Sequence, residues 1–140
     1  MNAYNKVLVA LDVYSEYQPI LDKALTLAGG SANVHLIYVT VPMVNYQPYG
    51  MAYDSELFND ILQQSKTLLH EVGGDNGIAD ERIFNPVGSP ADEIHEVAEQ
   101  IEADLIVIGT HGQSGFKLLL GSTANGVLHG VKCDVLAVKI

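Results

Sequence analysis

The order of apolar and polar positions divides this chain into short apolar runs separated by amphipathic stretches. The runs are rich in β-branched residues, and they occupy residues 7–11, 34–41, 82–86, 104–108 and 135–138. Such runs are typical of strands that are buried on both faces of a parallel sheet. The intervening stretches carry apolar residues at helical spacing. The pattern therefore predicts an α/β fold with five strands joined by four helices.

Capping residues predict where the first and third helices begin. Ser15 and Gln18 have the spacing of a capping box, but Pro19 implies a first turn that either lacks a hydrogen bond or begins later. The glycine pair at 29–30 should end this helix. Ser89 is placed to cap the third helix, with Pro90 at its first position, where proline loses no hydrogen bond.

The second and fourth helices are predicted from similar signals. The second should begin at Asp54 or Ser55 and should break at the glycine-rich segment 73–77. Its buried stripe is predicted to consist of Leu57, Ile61, Leu68 and Val72. The fourth should span residues 123–129 and end at Gly130.

Strands that alternate with helices imply right-handed crossovers and helices on both faces of the sheet. For doubly wound sheets of this size the common strand order is 2-1-3-4-5, and ligands bind at the carboxyl ends of the strands where the order reverses. Pro86 places the third strand at a sheet edge or at a strand end, because proline cannot donate to the ladder.

Composition narrows the functional classes. A chain of 140 residues is expected to form one domain, residues 1–140. Its formal charge of −10 argues against general affinity for nucleic acid, which needs a basic surface. We expect no membrane span and a cytoplasmic location, since no apolar run is long enough to span and no signal-peptide pattern is present. Cys133, the single cysteine, is expected to be a buried or interface thiol.

The connection at residues 42–54 is unusually apolar and aromatic. Its thirteen positions include three tyrosines and two methionines. Long connections in compact domains are often lids or contact surfaces, so this segment is a candidate surface for a protein partner. The alternative is that these side chains fold back on the core.

A glycine-rich segment follows the predicted fourth strand and leads into a helix. Glycines such as Gly109, Gly112 and Gly121 let the backbone approach a ligand closely, because they lack Cβ. The N–H groups and the positive dipole at the start of a helix, here near Ser122, attract an anion. A strand, a glycine loop and a helix in this order suit a phosphate group, although glycines that merely turn the chain would look the same.

Two titratable residues lie at the predicted ligand-binding edge. Asp12 ends the first strand, where it could accept hydrogen bonds from an amino or hydroxyl group of a ligand, help to hold a divalent cation such as Mg²⁺, or cap the next helix. His111 could touch a phosphate, although a solvated or backbone-bonded histidine is the commoner arrangement in such a loop. The other histidines show no metal-ligand spacing, so no confident metal site is predicted.

These features together resemble the universal stress protein family. The resemblance rests on Gly109-x-x-Gly112 followed by Gly121-Ser122, in a chain with apolar strands at 6–12 and 134–139. Nucleotide-binding members of that family carry Gly-x2-Gly, nine residues, and then Gly-Ser or Gly-Thr. Here eight residues separate Gly112 from Gly121.

The resemblance implies a UspA-like domain of the ATP-binding type. It implies a doubly wound, open parallel sheet in the order 3-2-1-4-5, adenine nucleotide alpha hydrolase-like, with ATP bound at the carboxyl ends of strands 1 and 4. By position in the family, the residues around the nucleotide would be Ala10, Asp12, Val39, Ile108, Gly109, His111, Gly112, Gly121, Ser122 and Thr123.

Three functions remain open on the sequence. The first is a cytoplasmic stress-response regulator or sensor that binds ATP or a related adenine nucleotide. The second is a slow ATPase or self-phosphorylating enzyme, with Ser122 or Thr123 as acceptor. The third is an adaptor that binds no nucleotide and uses residues 42–54. Binding is favoured over turnover, because the chain has no Walker-type or kinase motif.

The fifth strand predicts an oligomer. It is apolar and is followed by no covering helix, so it would leave a hydrophobic sheet edge exposed. Family resemblance and this edge both imply a homodimer that pairs through Val135, Leu136, Ala137 and Val138.

Overall fold

A computed structural model describes residues 3–42, 55–110 and 122–140, with only the backbone described at Ser55 and Ser122. Five parallel strands form one sheet in the order β3-β2-β1-β4-β5. The strands are β1 Val7–Ala10, β2 Val34–Ile37, β3 Ile83–Phe84, β4 Leu105–Gly109 and β5 Asp134–Val138. The order is the one implied by the family resemblance and differs from the common 2-1-3-4-5 order.

Four α-helices cover the two faces of the sheet. They are α1 Gln18–Ala28, α2 Ser55–Asp75, α3 Pro90–Ile101 and α4 Ser122–Leu128. One core cluster packs α1 and α2 against the sheet, and the other packs α3 and α4 against the opposite face. In the parts of the chain that the structure describes, no helix has the length and apolar character that crossing a bilayer requires.

The start of α1 differs from the prediction. The helix begins at Gln18, and no side chain caps it. Ser15 is instead part of the preceding turn, where its hydroxyl donates to the Asp12 carbonyl at 3.1 Å. The predicted capping box was therefore wrong, because the same serine satisfies a closer backbone acceptor. The predicted end is confirmed, since Gly29 takes a left-handed φ of 74°.

α2 ends at Asp75, inside the predicted segment 73–77, although the helix passes through Gly73 and Gly74. The predicted buried stripe was right in part. Val72 is buried and Leu68 packs partly buried against the core, whereas Leu57 is 46% exposed. Phe58, Ser65 and Leu69 are buried as well, so the buried face is shifted from the one that sequence spacing suggested.

The remaining boundaries lie close to prediction. Ser89 occupies the N-cap position of α3 with Pro90 in the first turn, although no side-chain hydrogen bond completes the cap. β2 ends at Ile37 rather than at residue 41, with a single further bridge between Thr40 and Val87. β3 lies at the sheet edge, and Pro86 follows it, as the proline predicted.

Candidate functional site

The carboxyl ends of β1 and β4 lie side by side at the centre of the sheet. The two strands pair in parallel, with Val9 opposite Val107. Chain order reverses here, because β1 leads on to β2 on one side while β4 and β5 lie on the other. Such a reversal opens a crevice between the connections that leave the two strands, and in doubly wound sheets this crevice is where ligands bind.

Three of the predicted site residues lie on the same face of the sheet, near the carboxyl ends of its central strands. Ala10 and Val39 are partly buried, and both pack against the cluster that contains Ile108. Ile108 itself is only 2% exposed, so its side chain can form the floor of a site but offers little surface to a ligand. Gly109 ends β4 beside them, and Thr123 lies partly exposed in the first turn of α4.

The backbone of Val39 is oriented toward the crevice. Its neighbours bond on the β3 side, with Tyr38 N–H donating to the Phe84 carbonyl at 3.0 Å and Thr40 N–H donating to the Pro86 carbonyl at 2.9 Å. Because backbone groups alternate in direction along a strand, the N–H and C=O of Val39 point to the β1 side. A backbone donor and acceptor side by side have the pattern that the edge of a heterocyclic base pairs with.

Asp12 is held in a tight turn directly after β1. Its Oδ1 accepts a hydrogen bond from the Tyr14 amide at 3.0 Å, and its carbonyl accepts from the Ser15 amide at 3.1 Å. The carboxylate therefore organises its own turn and does not cap α1, which begins six residues later at Gln18. A second carboxylate oxygen gives Asp12 further acceptor capacity.

Two tyrosines near Asp12 were not predicted as site residues from the sequence. Tyr14 and Tyr38 meet edge to face, with ring centroids 6.1 Å apart. Burial raises the pKa of Tyr38 to about 12, and the negative charge of Asp12 adds to the increase. The phenol of Tyr38 is consequently neutral at ordinary pH. Tyr14 lies two positions after Asp12, and Tyr38 directly precedes Val39. This proximity in sequence could have identified the cluster.

The start of the glycine segment is anchored to the end of β5. Thr110 is buried, and its amide donates to the Val138 carbonyl at 3.0 Å. Its hydroxyl oxygen accepts from the Ile140 amide at 3.3 Å. The chain therefore leaves β4 in a direction fixed by the neighbouring strand.

Several predicted residues lie outside the described part of the chain. These are His111, Gly112 and Gly121, together with the side chain of Ser122 and most of the 42–54 connection. Among the residues that are described, no group of three or more His, Cys, Asp or Glu side chains could hold a metal ion.

The sheet order and the crevice define an open, doubly wound α/β domain of the adenine nucleotide alpha hydrolase-like class. The model of the universal stress protein family matches residues 3–139, and the chain belongs to that family.

Individual relatives agree with this assignment. The chain is 39% identical over 144 residues to universal stress protein A homolog 2 of Coxiella burnetii, covering 100% of this chain and 98% of the relative. Among solved structures, hypothetical protein MJ0577 superposes with a TM-score of 0.80 at 25% identity, with 99% and 97% of the two chains covered. A universal stress protein solved in complex with cAMP is 27% identical, with a TM-score of 0.61 and 98% of each chain covered.

Proposed function

We propose that this universal stress protein binds an adenine nucleotide, ATP in the first instance, at the carboxyl ends of β1 and β4. The observation that carries the proposal is the position of two polar groups on the crevice. The Asp12 carboxylate follows β1, and the backbone of Val39, two residues beyond the end of β2, faces the β1 side by alternation along the chain. Ala10 packs against the core cluster that contains Ile108 on this face of the sheet.

The described residues suit the nucleoside part of the ligand. The N–H and C=O of Val39 would bond the adenine edge, and Asp12 would bond a ribose hydroxyl or a Mg²⁺ ion that accompanies the phosphates. The phosphates would lie against Gly109, Gly112, Gly121 and the start of α4, with Thr123 and His111 close by. Binding a triphosphate to a chain of charge −10 would rely on local backbone donors and a cation.

The comparisons support an adenine ligand. The solved universal stress protein that contains cAMP shares this fold over nearly its whole length. The adenine and ribose are common to cAMP and ATP, whereas the phosphate portion differs. This agrees with a site in which β1 and β2 recognise the nucleoside and the glycine segment selects the phosphates.

We favour a regulatory or sensing role over an enzyme. A bound nucleotide would shift the equilibrium of a homodimer or of a partner complex to the extent that it binds the two states differently. A cytoplasmic location and a role in the stress response belong to the same proposal. Slow ATP hydrolysis or phosphorylation of Ser122 or Thr123 is the alternative, and binding through residues 42–54 without a nucleotide is the other.

The experiment that tests the proposal identifies the nucleotide directly. Purified protein is denatured, and any released small molecule is identified by chromatography and mass spectrometry. The protein is then titrated by calorimetry with ATP, ADP, AMP and cAMP, each with and without Mg²⁺.

Tight binding of ATP, with a stronger interaction in Mg²⁺, is the expected result. Preference for cAMP or AMP would support the proposed contacts to adenine and ribose, and it would change the proposed contacts to the phosphates. Failure of all four nucleotides to bind would overturn the proposal and favour an adaptor role. Release of inorganic phosphate during the titration would identify the enzyme alternative.

A further inference from the structure

The side chain of Tyr14 joins the Asp12 turn to the middle of α2, where Ser65 also hydrogen-bonds to Tyr38. The hydroxyl of Tyr14 lies 3.0 Å from the Oγ of Ser65, which is 51 positions away in the chain. Ser65 is fully buried at the midpoint of a helix that runs from Ser55 to Asp75. A buried polar group in an otherwise apolar helical face needs partners, and Tyr14 supplies one.

The direction of this hydrogen bond follows from the chemistry of serine. The Ser65 hydroxyl already donates to the Ile61 carbonyl at 2.9 Å. A hydroxyl has one proton to donate, so the Tyr14 phenol must donate to Ser65. The interaction is therefore directional and would be lost if either hydroxyl were removed.

Tyr14 is held at both ends. Its amide donates to the Asp12 carboxylate, and its phenol donates to Ser65. Its ring packs edge to face on Tyr38, which limits rotation of the side chain. A change at Ser65 is thereby transmitted through one residue to the oxygen atoms of Asp12.

We propose that Tyr14 and Ser65 are positioning residues that fix the Asp12 carboxylate for ligand binding. This inference rests on the proposed nucleotide site. It makes the affinity of the crevice depend on α2, a helix that contributes no predicted contact to the nucleotide. In sequence, α2 directly follows the 42–54 segment, so a partner that moves this helix would alter the ligand site.

The first measurement needs no ligand. The hydrogen-exchange rate of the residue 14 amide is measured by NMR in the wild type, Ser65→Ala and Tyr14→Phe. Loss of one hydrogen bond of ordinary net strength should accelerate this exchange by about 3- to 10-fold in both variants. Tyr17→Phe is the matched control, because Tyr17 belongs to the same connection and packs on the same core. An unchanged exchange rate in Ser65→Ala overturns the inference, whatever the nucleotide result.

The second measurement is nucleotide affinity. Ser65→Ala and Tyr14→Phe should each weaken ATP binding by about 3- to 10-fold, and the double variant should be no weaker, because both remove the same hydrogen bond. Adenosine should lose affinity by the same factor when Asp12 bonds the ribose, whereas a loss confined to ATP with Mg²⁺ would assign Asp12 to the cation. Wild-type affinity in both variants would overturn the positioning role while leaving the nucleotide site intact. A wild type that binds no adenine nucleotide would instead overturn the proposed function, and the positioning role with it.

Discussion

Gly126 in α4 lies directly against Ala91 in α3. A Cβ added to Gly126 would come within 2.6 Å of the Ala91 Cβ, which is closer than two methyl groups can approach. The backbone of α4 therefore lies directly against the Ala91 methyl group of α3. Because α4 begins at Ser122, this contact also fixes the position of the helix start that we propose to receive phosphate.

Gly126→Ala should destabilise the protein by about 1 kcal/mol. Alanine gains about 1 kcal/mol in helix propensity, but overpacking of a tight contact costs about 1–3 kcal/mol. Urea denaturation monitored by circular dichroism would measure the difference. The double variant with Ala91→Gly should recover most of the loss, because it restores space at the same contact. A stabilised Gly126→Ala variant would show that the helices can separate freely.

Gly74→Ala should stabilise the protein by about 0.5–1 kcal/mol. Gly74 is exposed inside α2, and no atom lies within 4 Å of the position that its Cβ would take. The matched variant is Gly73→Ala, one position earlier, where the new methyl group would overlap Cδ1 of Ile83. Thermal unfolding should rank the proteins with Gly74→Ala above wild type and Gly73→Ala below Gly74→Ala. Equal stability of the two variants would contradict the packing described for this helix.

These glycines show where sequence reasoning succeeded and where it failed. The apolar runs predicted all five strands, because burial on both faces of a sheet leaves little choice of residue. The glycine pair in α2 predicted a helix end, yet Gly73 serves a close approach to Ile83. Part of the buried face of α2 was also predicted wrongly, because the leucines and isoleucines of this helix fit two overlapping apolar stripes. Only contact with the sheet selects between them.

The candidate site could likewise be predicted only in part from the sequence. Residues at strand ends, such as Asp12 and Gly109, could be predicted, because parallel strands bring their carboxyl ends to one edge. The Tyr14–Ser65 contact could not, since 51 residues separate its partners and no periodicity relates them. The environment of His35 could not be predicted either, because it depends on residues from three strands.

His35 should make stability depend on pH below neutrality. Burial lowers the pKa of His35, and the positive charges of Arg82 and Lys6 lower it further. A backbone hydrogen bond to Val7 opposes this decrease but is the smallest of these influences, and the buried Nδ1 has no hydrogen-bond partner among the described residues. The unfolded chain, with a pKa near 6.5, therefore binds the proton more readily.

Because the pKa of His35 is lower in the folded protein than in the unfolded chain, stability decreases as the pH falls. The contribution of His35 to stability is fully present above about pH 6.5, falls as the pH decreases through the interval between the unfolded and folded pKa values, and is constant below the folded pKa. Its slope cannot exceed about 1.4 kcal/mol per pH unit, the limit for one proton. His35→Leu should reduce the pH dependence in this interval, as measured by urea denaturation from pH 7.5 to pH 5. Phe84→Leu is the control, since it removes the stacked ring and leaves the titrating group in place. Identical pH profiles for wild type and His35→Leu would rule the assignment out.

Ala137→Pro should convert a proposed homodimer into a folded monomer. β5 is an edge strand, and Val135, Leu136 and Ala137 remain partly exposed. The Val138 carbonyl accepts from Thr110 on the β4 side, so by alternation the N–H groups of residues 135 and 137 point away from the sheet. Proline at 137 removes an outward donor and leaves the bonds to β4 intact.

Light scattering at micromolar concentration should give twice the chain mass for wild type and the single-chain mass for Ala137→Pro. Ala137→Val, which keeps the N–H, should remain a dimer. A wild-type protein that is monomeric under these conditions would contradict pairing through β5.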